Sequence, residues 1–154
     1  MSIDKEIENT VLPQELANLL WYVSWLSLAS AMYAWNRGHY DLAIVPGGVW
    51  ITSLNYWRKP NYSWRRYVDI GYVHLGLMYQ ILRAKDSQHQ RIYYTILAIG
   101  CGFFPFGIYF HKKIDLPTST WCHVMVHVLG NVSNVILYSG YVTPLSQCRW
   151  WWWR

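Results

Sequence analysis

Residues 16–35 read LANLLWYVSWLSLASAMYAW, a run that contains no charged side chain. A helix needs about 20 mostly apolar residues to cross the hydrocarbon core of a bilayer. Small side chains let a neighbouring helix approach closely, and this run contains Ser27, Ala29, Ser30, Ala31 and Ala34. The stretch therefore predicts a membrane-crossing helix with a packing face.

Four more apolar segments follow, at about residues 42–57, 67–82, 92–110 and 120–141. Together with the first they predict an all-α, multipass transmembrane helix bundle of about five spans, with residues 1–154 as a single membrane domain. The second segment is short and contains Pro46-Gly47-Gly48, so we expect it to be broken or re-entrant. Pro105 predicts a kink in the fourth segment, and Thr118 or Ser119 is the expected N-cap of the fifth.

The two ends of the chain differ in character. Residues 1–15 form a polar, acidic segment without the basic region of a cleavable signal peptide. Residues 142–154 end in a Trp-rich tail, Trp150–Trp153, which predicts an interfacial anchor or a contact with a partner. We expect other membrane subunits to bind this tail and the small-residue face of the first segment.

The composition also indicates a membrane protein. Charged residues make up 14% of the chain, against about 25% in ordinary globular domains. The 11 Trp and 13 Tyr residues have rings that suit the bilayer boundary. The net charge of +5 comes from short basic runs between the apolar segments, a pattern typical of loops near lipid headgroups rather than of a nucleic-acid site.

The basic runs also bear on orientation. The densest, Arg58, Lys59, Arg65 and Arg66, follows the second segment. Because cytosolic loops of membrane proteins carry an excess of Lys and Arg, it favours a cytosolic N-terminus. The sequence does not indicate which membrane holds the protein.

Ionisable side chains inside membrane segments are costly, and each is a functional candidate by default. The HxxxH motif of His123 and His127 places two imidazoles on one helical face, about 6 Å apart along the axis. Such a pair can bind one metal ion, zinc above all. The alternative is that both form interhelical hydrogen bonds. His74 is a candidate third ligand, or a histidine that packs within the bundle.

Two further residues are candidates for catalysis. Asp69 either pairs with Arg65 or Arg66, one turn back on its helix, or acts as a carboxylate that orients a metal-bound water. Ser53 either donates to a substrate or a metal-bound water, or bonds back to a carbonyl of its own helix.

A serine late in one membrane helix, an aspartate early in the next and an HxxxH in the last together resemble the CREST superfamily of membrane hydrolases, which includes alkaline ceramidases and progestin/adipoQ-type receptors. The resemblance implies a zinc-holding helical bundle that hydrolyses lipid amides. Ser53 and Asp69 would match the motif serine and aspartate, and His123 and His127 the zinc ligands. The family has a histidine four residues after the serine, where this chain has Trp57.

Other functions remain open at this stage. Haem takes two axial ligands from opposite sides, which His74 and either His123 or His127 would supply from different helices. A related alternative is that the bundle binds a lipid or quinone without catalysing a reaction. A transport role is disfavoured, since the five segments contain no repeat. The leading expectation is a structural or accessory subunit of a membrane assembly.

Overall fold

The computed structural model describes residues 10–147, which form α-helices joined by short loops. The helices are α1 (Gln14–Val23), α2 (Trp25–Asn36), α3 (Tyr40–Trp57), α4 (Trp64–Ala84), α5 (Gln90–Lys112) and α6 (Leu116–Ser139), followed by a 3-10 turn at Leu145–Gln147. Within these residues the extended pairing is limited to one bridge, between Thr10 and Asn61. The all-α prediction is confirmed.

Helices α1 and α2 are two halves of the first predicted segment. Ser24, between them, has helical backbone angles. Its hydroxyl donates to the Leu20 carbonyl at 2.7 Å, and serines that bond back in this way often bend a helix. We therefore count α1 and α2 together as one rod that is interrupted at Ser24. With α3, α4, α5 and α6, the described residues form five rods.

The predicted break in the second segment is wrong, because α3 runs unbroken through Pro46. The neighbouring glycines serve close packing instead. A side chain at Gly48 would overlap the ring of Tyr72 from α4. The Tyr72 hydroxyl also donates to the Ile44 carbonyl of α3 at 2.9 Å. Gly48 thus provides room for a side chain that ties α3 to α4.

Helices α5 and α6 form the most extensive helix pair. Ser119 of α6 donates to the Gly107 carbonyl of α5 at 2.8 Å, and α5 is continuous through Pro105. The expected N-cap of α6 at Thr118 or Ser119 is wrong. The helix begins earlier because Asp115 accepts a hydrogen bond from the Thr118 N–H at 3.2 Å, and a proline suits the first turn that follows.

The rods lie in the spatial order α4, α3, α1–α2, α6 and α5, so α4 and α5 share few contacts. Val11 N–H donates to the Pro60 carbonyl at 2.9 Å, which places the start of α1 beside the α3–α4 loop. We call this end of the bundle, residues 10–13, 58–66 and 111–115, the basic end. At the opposite end, Gln88 N–H donates to the Tyr141 carbonyl at 2.9 Å.

The distribution of burial differs from that of a soluble domain, in which polar side chains are mostly outside. The interior contains apolar side chains such as Leu20, Leu42 and Leu137. It also contains many polar side chains, among them Ser24, Ser27, Ser30, Ser53, Asp69, Gln80, Thr120, Asn131 and Ser133. Many large apolar side chains lie outside. Ile44 is 67% exposed, Leu75 70% and Phe106 61%.

Among the described helices, α5 alone is both long and apolar enough to cross a membrane by composition. Its most apolar stretch has a mean hydropathy of 1.5, and only 22% of that stretch is buried in the protein. A core helix of a soluble protein would be mostly buried. The structure therefore shows a helical protein with one candidate membrane span. The about five spans expected from the sequence stay a prediction.

Candidate functional site

Asp69 lies in the second turn of α4 and faces α3. Its Oδ1 atom accepts hydrogen bonds from the Thr52 hydroxyl at 2.7 Å and from the Ser53 hydroxyl at 2.8 Å. Asp69 is 8% exposed and Ser53 1%. The two residues singled out from the sequence as a catalytic pair are therefore in contact, in a buried position between two helices.

Both simpler interpretations of these residues are wrong. Ser53 donates to Asp69 rather than to a carbonyl of its own helix. Within residues 10–147 Asp69 forms no ion pair with the two arginines one turn back. Arg65 donates to the Asn61 side chain at 3.2 Å, and the guanidinium of Arg66 lies 5.1 Å from the centre of the Tyr62 ring.

His123 and His127 share one face of α6, as the spacing predicts. Their ring centres are 5.3 Å apart, and both side chains are partly exposed. In the part of the chain that the structure describes, neither imidazole makes a hydrogen bond. The alternative interpretation, a pair of histidines bonded to other helices, is therefore not observed.

Trp57, the last residue of α3, lies against the histidine pair. Its ring centre is 5.3 Å from that of His123, with the rings nearly perpendicular. Trp57 is 4% exposed, and its Nε1–H finds no acceptor among the described residues. Trp50, two turns earlier on the same helix, also has a buried Nε1–H that finds no acceptor among the described residues. Buried indole N–H groups usually have a partner.

His74 does not join this group. It lies on the exposed side of α4, and its Nδ1 is bonded to the Ile70 carbonyl at 2.7 Å. Its predicted role as third metal ligand is therefore wrong, and its role as a haem ligand opposite α6 stays a prediction. The reason is the helix order, since α4 packs chiefly on α3 rather than on α6.

The donor set does not fit the zinc site that the resemblance implies. Residues 10–147 contain no group of three His, Cys, Asp or Glu side chains able to hold one metal ion. Trp57 stands where the family has its histidine, and an indole offers a donor but no lone pair to a metal. A catalytic zinc site takes three protein ligands, and the HxxxH supplies two.

Helices α4 and α6 are joined by a hydrogen bond far from the candidate residues. Gln80 of α4 donates to the Tyr138 hydroxyl of α6 near the opposite end of the bundle. Asp69 precedes Gln80 by eleven residues, and His127 precedes Tyr138 by eleven. Eleven residues span about 16 Å of helix. This hydrogen bond therefore does not bring Asp69 and His127 together.

A partly buried ion pair at the opposite end of the bundle was not predicted from the sequence. Arg83 Nε donates to Asp41 Oδ2 at 2.7 Å, and the Tyr79 hydroxyl donates to the same oxygen at 2.8 Å. Burial alone would raise the pKa of Asp41, but these hydrogen bonds and the Arg83 charge outweigh it and hold that pKa below its ordinary value of 3.8. Asp41 and Arg83 each lie one residue outside a predicted apolar segment, so the sequence did not indicate that they pair across two helices.

Comparison with known protein families, with curated proteins and with solved structures finds no match to this chain. The resemblance to the CREST superfamily therefore rests on the residues quoted above. The predicted contact surface at Trp150–Trp153 lies outside the described residues.

Proposed function

We propose that this protein is a multipass integral membrane protein that serves as a structural or accessory subunit of a membrane assembly. The observation that carries the proposal is that many polar side chains are buried while many large apolar side chains are exposed. Monomeric soluble proteins rarely expose large contiguous apolar surfaces, whereas helices that meet in lipid do so through small and polar side chains. All five rods share this pattern, although α5 alone passes the composition test.

The distribution of charge supports a cytosolic N-terminus. The basic end contains Arg58, Lys59, Arg65, Arg66, Lys112 and Lys113. At the opposite end two arginines are used inside the protein. Arg37 donates to the Ser139 carbonyl at 2.9 Å, and Arg83 pairs with Asp41. The positive-inside rule therefore favours the basic end as the cytosolic one.

We expect a partner subunit to bind α2 on its outer face rather than on its small-residue face. The small side chains of α2 are already used within the chain, since Ser27 and Ser30 are each 2% exposed and Ala34 is fully buried. A partner would contact the outer face of the same helix, where Met32 is 58% and Trp35 60% exposed.

Fractionation and topology mapping test the proposal. We expect the protein to stay with membranes after alkaline carbonate extraction. Single cysteines placed in a cysteine-free variant at Asn61 and at Gln88 should be labelled from opposite sides. Recovery in the soluble fraction, or labelling of both positions from one side, contradicts the multipass arrangement. Purification in mild detergent without any stoichiometric partner contradicts the subunit role.

A second function, hydrolysis of lipid amides, is favoured by the hydrogen bond between Ser53 and Asp69. The test is release of fatty acid from a ceramide by the purified protein, with Ser53→Ala and Asp69→Asn as variants. Activity lost in both variants supports this candidate, and inactivity of the unaltered protein removes it. Zinc content and a Soret band, measured on the same sample, test for zinc and haem.

A further inference from the structure

The outer surface of α4 carries a polar group at the middle of the helix that lacks a hydrogen-bond partner. His74 is exposed, and ten residues of α4 lie on either side of it, so it is about 15 Å from each end of the helix. Its Nδ1–H donates to the Ile70 carbonyl at 2.7 Å, which leaves Nε2 as an acceptor without a hydrogen bond to the described residues. In the membrane location proposed above, a polar side chain at this depth is costly unless another group pairs with it.

The rod formed by α1 and α2 carries the complementary group at its own middle. Eleven residues of the rod lie on either side of Trp25, which is 42% exposed. Its ring packs edge-on against Trp50 of α3, with 5.4 Å between the ring centres, and its Nε1–H donates to no acceptor in the described region. An indole N–H only donates, so it suits the free acceptor of His74.

Both rods run in the same direction, away from the basic end. The first begins beside the α3–α4 loop, and α4 begins directly after that loop. Two copies of the chain with the same orientation in a membrane can therefore place α4 of one copy beside α2 of the other, with Trp25 next to His74. Within one chain these two residues do not meet, because α3 lies between their helices.

The surface next to His74 has room for a large ring. Gly71 lies one turn from His74 on the exposed side of α4. A side chain at Gly71 would meet no atom within 4 Å. Small residues of this kind let two membrane helices approach closely, and here the free space would accommodate the ring of Trp25.

A groove on the outer face of α2 and α3 extends the complementary surface. It has a volume of about 340 Å³ and is lined by Ala31, Met32, Trp35, Asn36, Ala43 and Ile44. Met32 follows Trp25 by seven residues, which is two turns and keeps both on one helical face. Ile81 has the same relation to His74 and is 38% exposed. The register that pairs Trp25 with His74 therefore brings Ile81 to the groove.

We propose that this protein assembles head to tail with copies of itself, with α4 of one copy in the groove between α2 and α3 of the next, and with Trp25 Nε1–H donating to His74 Nε2. The inference rests on the proposed role as a membrane subunit and names a second copy of the chain as the partner. Because the two contact surfaces are different, each bound copy still has one of them free. Such a contact continues from copy to copy until it closes into a ring or extends as a filament.

Disulfide crosslinking of the full-length chain in membranes tests the arrangement. In a cysteine-free variant, Met32→Cys together with Ile81→Cys should give a ladder of dimers, trimers and larger species on mild oxidation. Each single substitution should give monomers. Met32→Cys with Ile92→Cys is the matched control, since Ile92 is 53% exposed on α5, and it should also give monomers.

Three crosslinking results overturn the proposal. Monomers alone from the Met32 and Ile81 pair show that these surfaces do not meet. Dimers from either single substitution show a symmetric contact instead of a head-to-tail one. An equal ladder from the control pair shows that the crosslinks come from random collisions.

Self-association of the purified protein in mild detergent tests the space beside His74. Gly71→Leu fills that space, and Gly102→Leu is a matched control, because an added Cβ at Gly102 of α5 also meets no atom within 4 Å. We expect Gly71→Leu to raise the dissociation constant of the assembly about tenfold, as overpacking predicts, and Gly102→Leu to leave it unchanged. Equal association of the two variants overturns the contact at α4.

The hydrogen bond itself is tested by a double-mutant cycle. Trp25→Phe and His74→Leu should each raise the dissociation constant about three- to tenfold, the range for one hydrogen bond between membrane helices, and the double variant should lose no more than either alone. Trp121→Phe is the control, since Trp121 is 58% exposed on α6, and it should associate like the unaltered protein. Losses that simply add show that Trp25 and His74 do not touch.

One outcome separates self-assembly from the subunit role. A chain that stays with carbonate-washed membranes, is monomeric and co-purifies with a different protein overturns self-assembly and leaves the subunit role standing. Recovery in the soluble fraction instead overturns the membrane location on which both depend.

Discussion

The Ser53 hydroxyl donates a hydrogen bond of 2.8 Å to Oδ1 of Asp69, and so joins the C-terminal half of α3 to the start of α4. Thr52, the neighbouring residue, donates to the same oxygen at 2.7 Å. One carboxylate oxygen thus holds two hydroxyls of another helix in a buried position. Removing the acceptor leaves the Ser53 hydroxyl unpaired and leaves Thr52 only its longer bond of 3.2 Å to the Val49 carbonyl, whereas removing the Ser53 hydroxyl leaves the Thr52 contact in place.

Asp69→Ala should therefore destabilise the protein more than Ser53→Ala does. We expect a loss of roughly 1–3 kcal/mol for Asp69→Ala and about 1 kcal/mol for Ser53→Ala, measured by unfolding in detergent. Asp69→Asn keeps an acceptor oxygen and should lie close to the unaltered protein. Thr95→Ala is a control, because the Thr95 hydroxyl bonds only to the Arg91 carbonyl of its own helix. Equal losses for Asp69→Ala and Thr95→Ala would show that the contact contributes nothing.

Gly48→Ala should destabilise the bundle, because the added methyl group would overlap the ring of Tyr72. Overpacking of this kind typically costs about 1–3 kcal/mol. Gly102→Ala serves as the control, since no atom lies within 4 Å of its added methyl group. That change should be neutral or stabilising, because alanine favours helix over glycine by about 1 kcal/mol.

The double variant Gly48→Ala/Tyr72→Ala tests the cause of the Gly48 effect. Removing the ring should recover part of the stability lost by Gly48→Ala, as thermal unfolding in detergent would show. If the two losses simply add, the clash is not with Tyr72 and the packing described for α3 and α4 is wrong.

The ion pair between Asp41 and Arg83 predicts a loss of stability in acid. The folded protein lowers the pKa of Asp41 below its ordinary value of 3.8, so it favours the ionised carboxylate. This contribution is complete above the unfolded pKa and is lost as the pH falls through the lower, folded value. Unfolding free energy measured between pH 6 and pH 2 should fall, and Asp41→Asn should make that fall smaller.

Arg83→Met should cost more than Asp41→Asn at neutral pH. Asparagine keeps an acceptor oxygen for Arg83, which also donates to the Thr143 carbonyl at 2.8 Å, whereas Arg83→Met leaves the Asp41 carboxylate without its cation. We expect a loss of about 1–3 kcal/mol, the range for hydrogen bonds to charged groups. Arg91→Met is a control from the same end of the bundle, because the Arg91 side chain is exposed. A pH profile that is the same with and without Asp41 would contradict this account.

The polar contact between α2 and α6 should show a small coupling. Ser30 donates to Asn131 Oδ1 at 2.7 Å. Double-mutant cycles of such contacts in membrane helices give about 0.6 kcal/mol on average. We expect a similar value from Ser30→Ala, Asn131→Ala and the double variant. A coupling near zero would show that close packing, rather than this hydrogen bond, holds the two helices together.

The helical character and most segment positions were predictable, because apolar runs of about 20 residues determine them. The continuous helix through Pro46-Gly47-Gly48 was not predictable from the sequence. These residues are compatible with a break, and the close approach of Tyr72 from another helix, for which Gly48 leaves room, is not visible in the sequence. The start of α6 was missed for a local reason, since Asp115 was a better capping residue than either hydroxyl considered.

The candidate site was predictable in part. Helical spacing places His123 and His127 on one face whatever their surroundings, and the contact of Ser53 with Asp69 follows from antiparallel neighbours α3 and α4. Whether α4 packs on α6 depends on the order of the helices in space, and this order cannot be predicted from the hydropathy of the sequence. His74 was therefore grouped with α6 when it lies outside, and Trp57 was passed over although it contacts His123.

The hydrogen bonds between α2 and α6 have a consequence for biosynthesis. Ser30 precedes its partner Asn131 by 101 positions, and Ser27 precedes it by 104. When α2 leaves the ribosome, the helix that will cover its hydroxyls has not been translated. Until α6 arrives, that face has no partner from its own chain. The nascent chain thus exposes this face of α2 to the lipid or to a factor that assists insertion. The contacts between α2 and α6 form only after α6 has been translated.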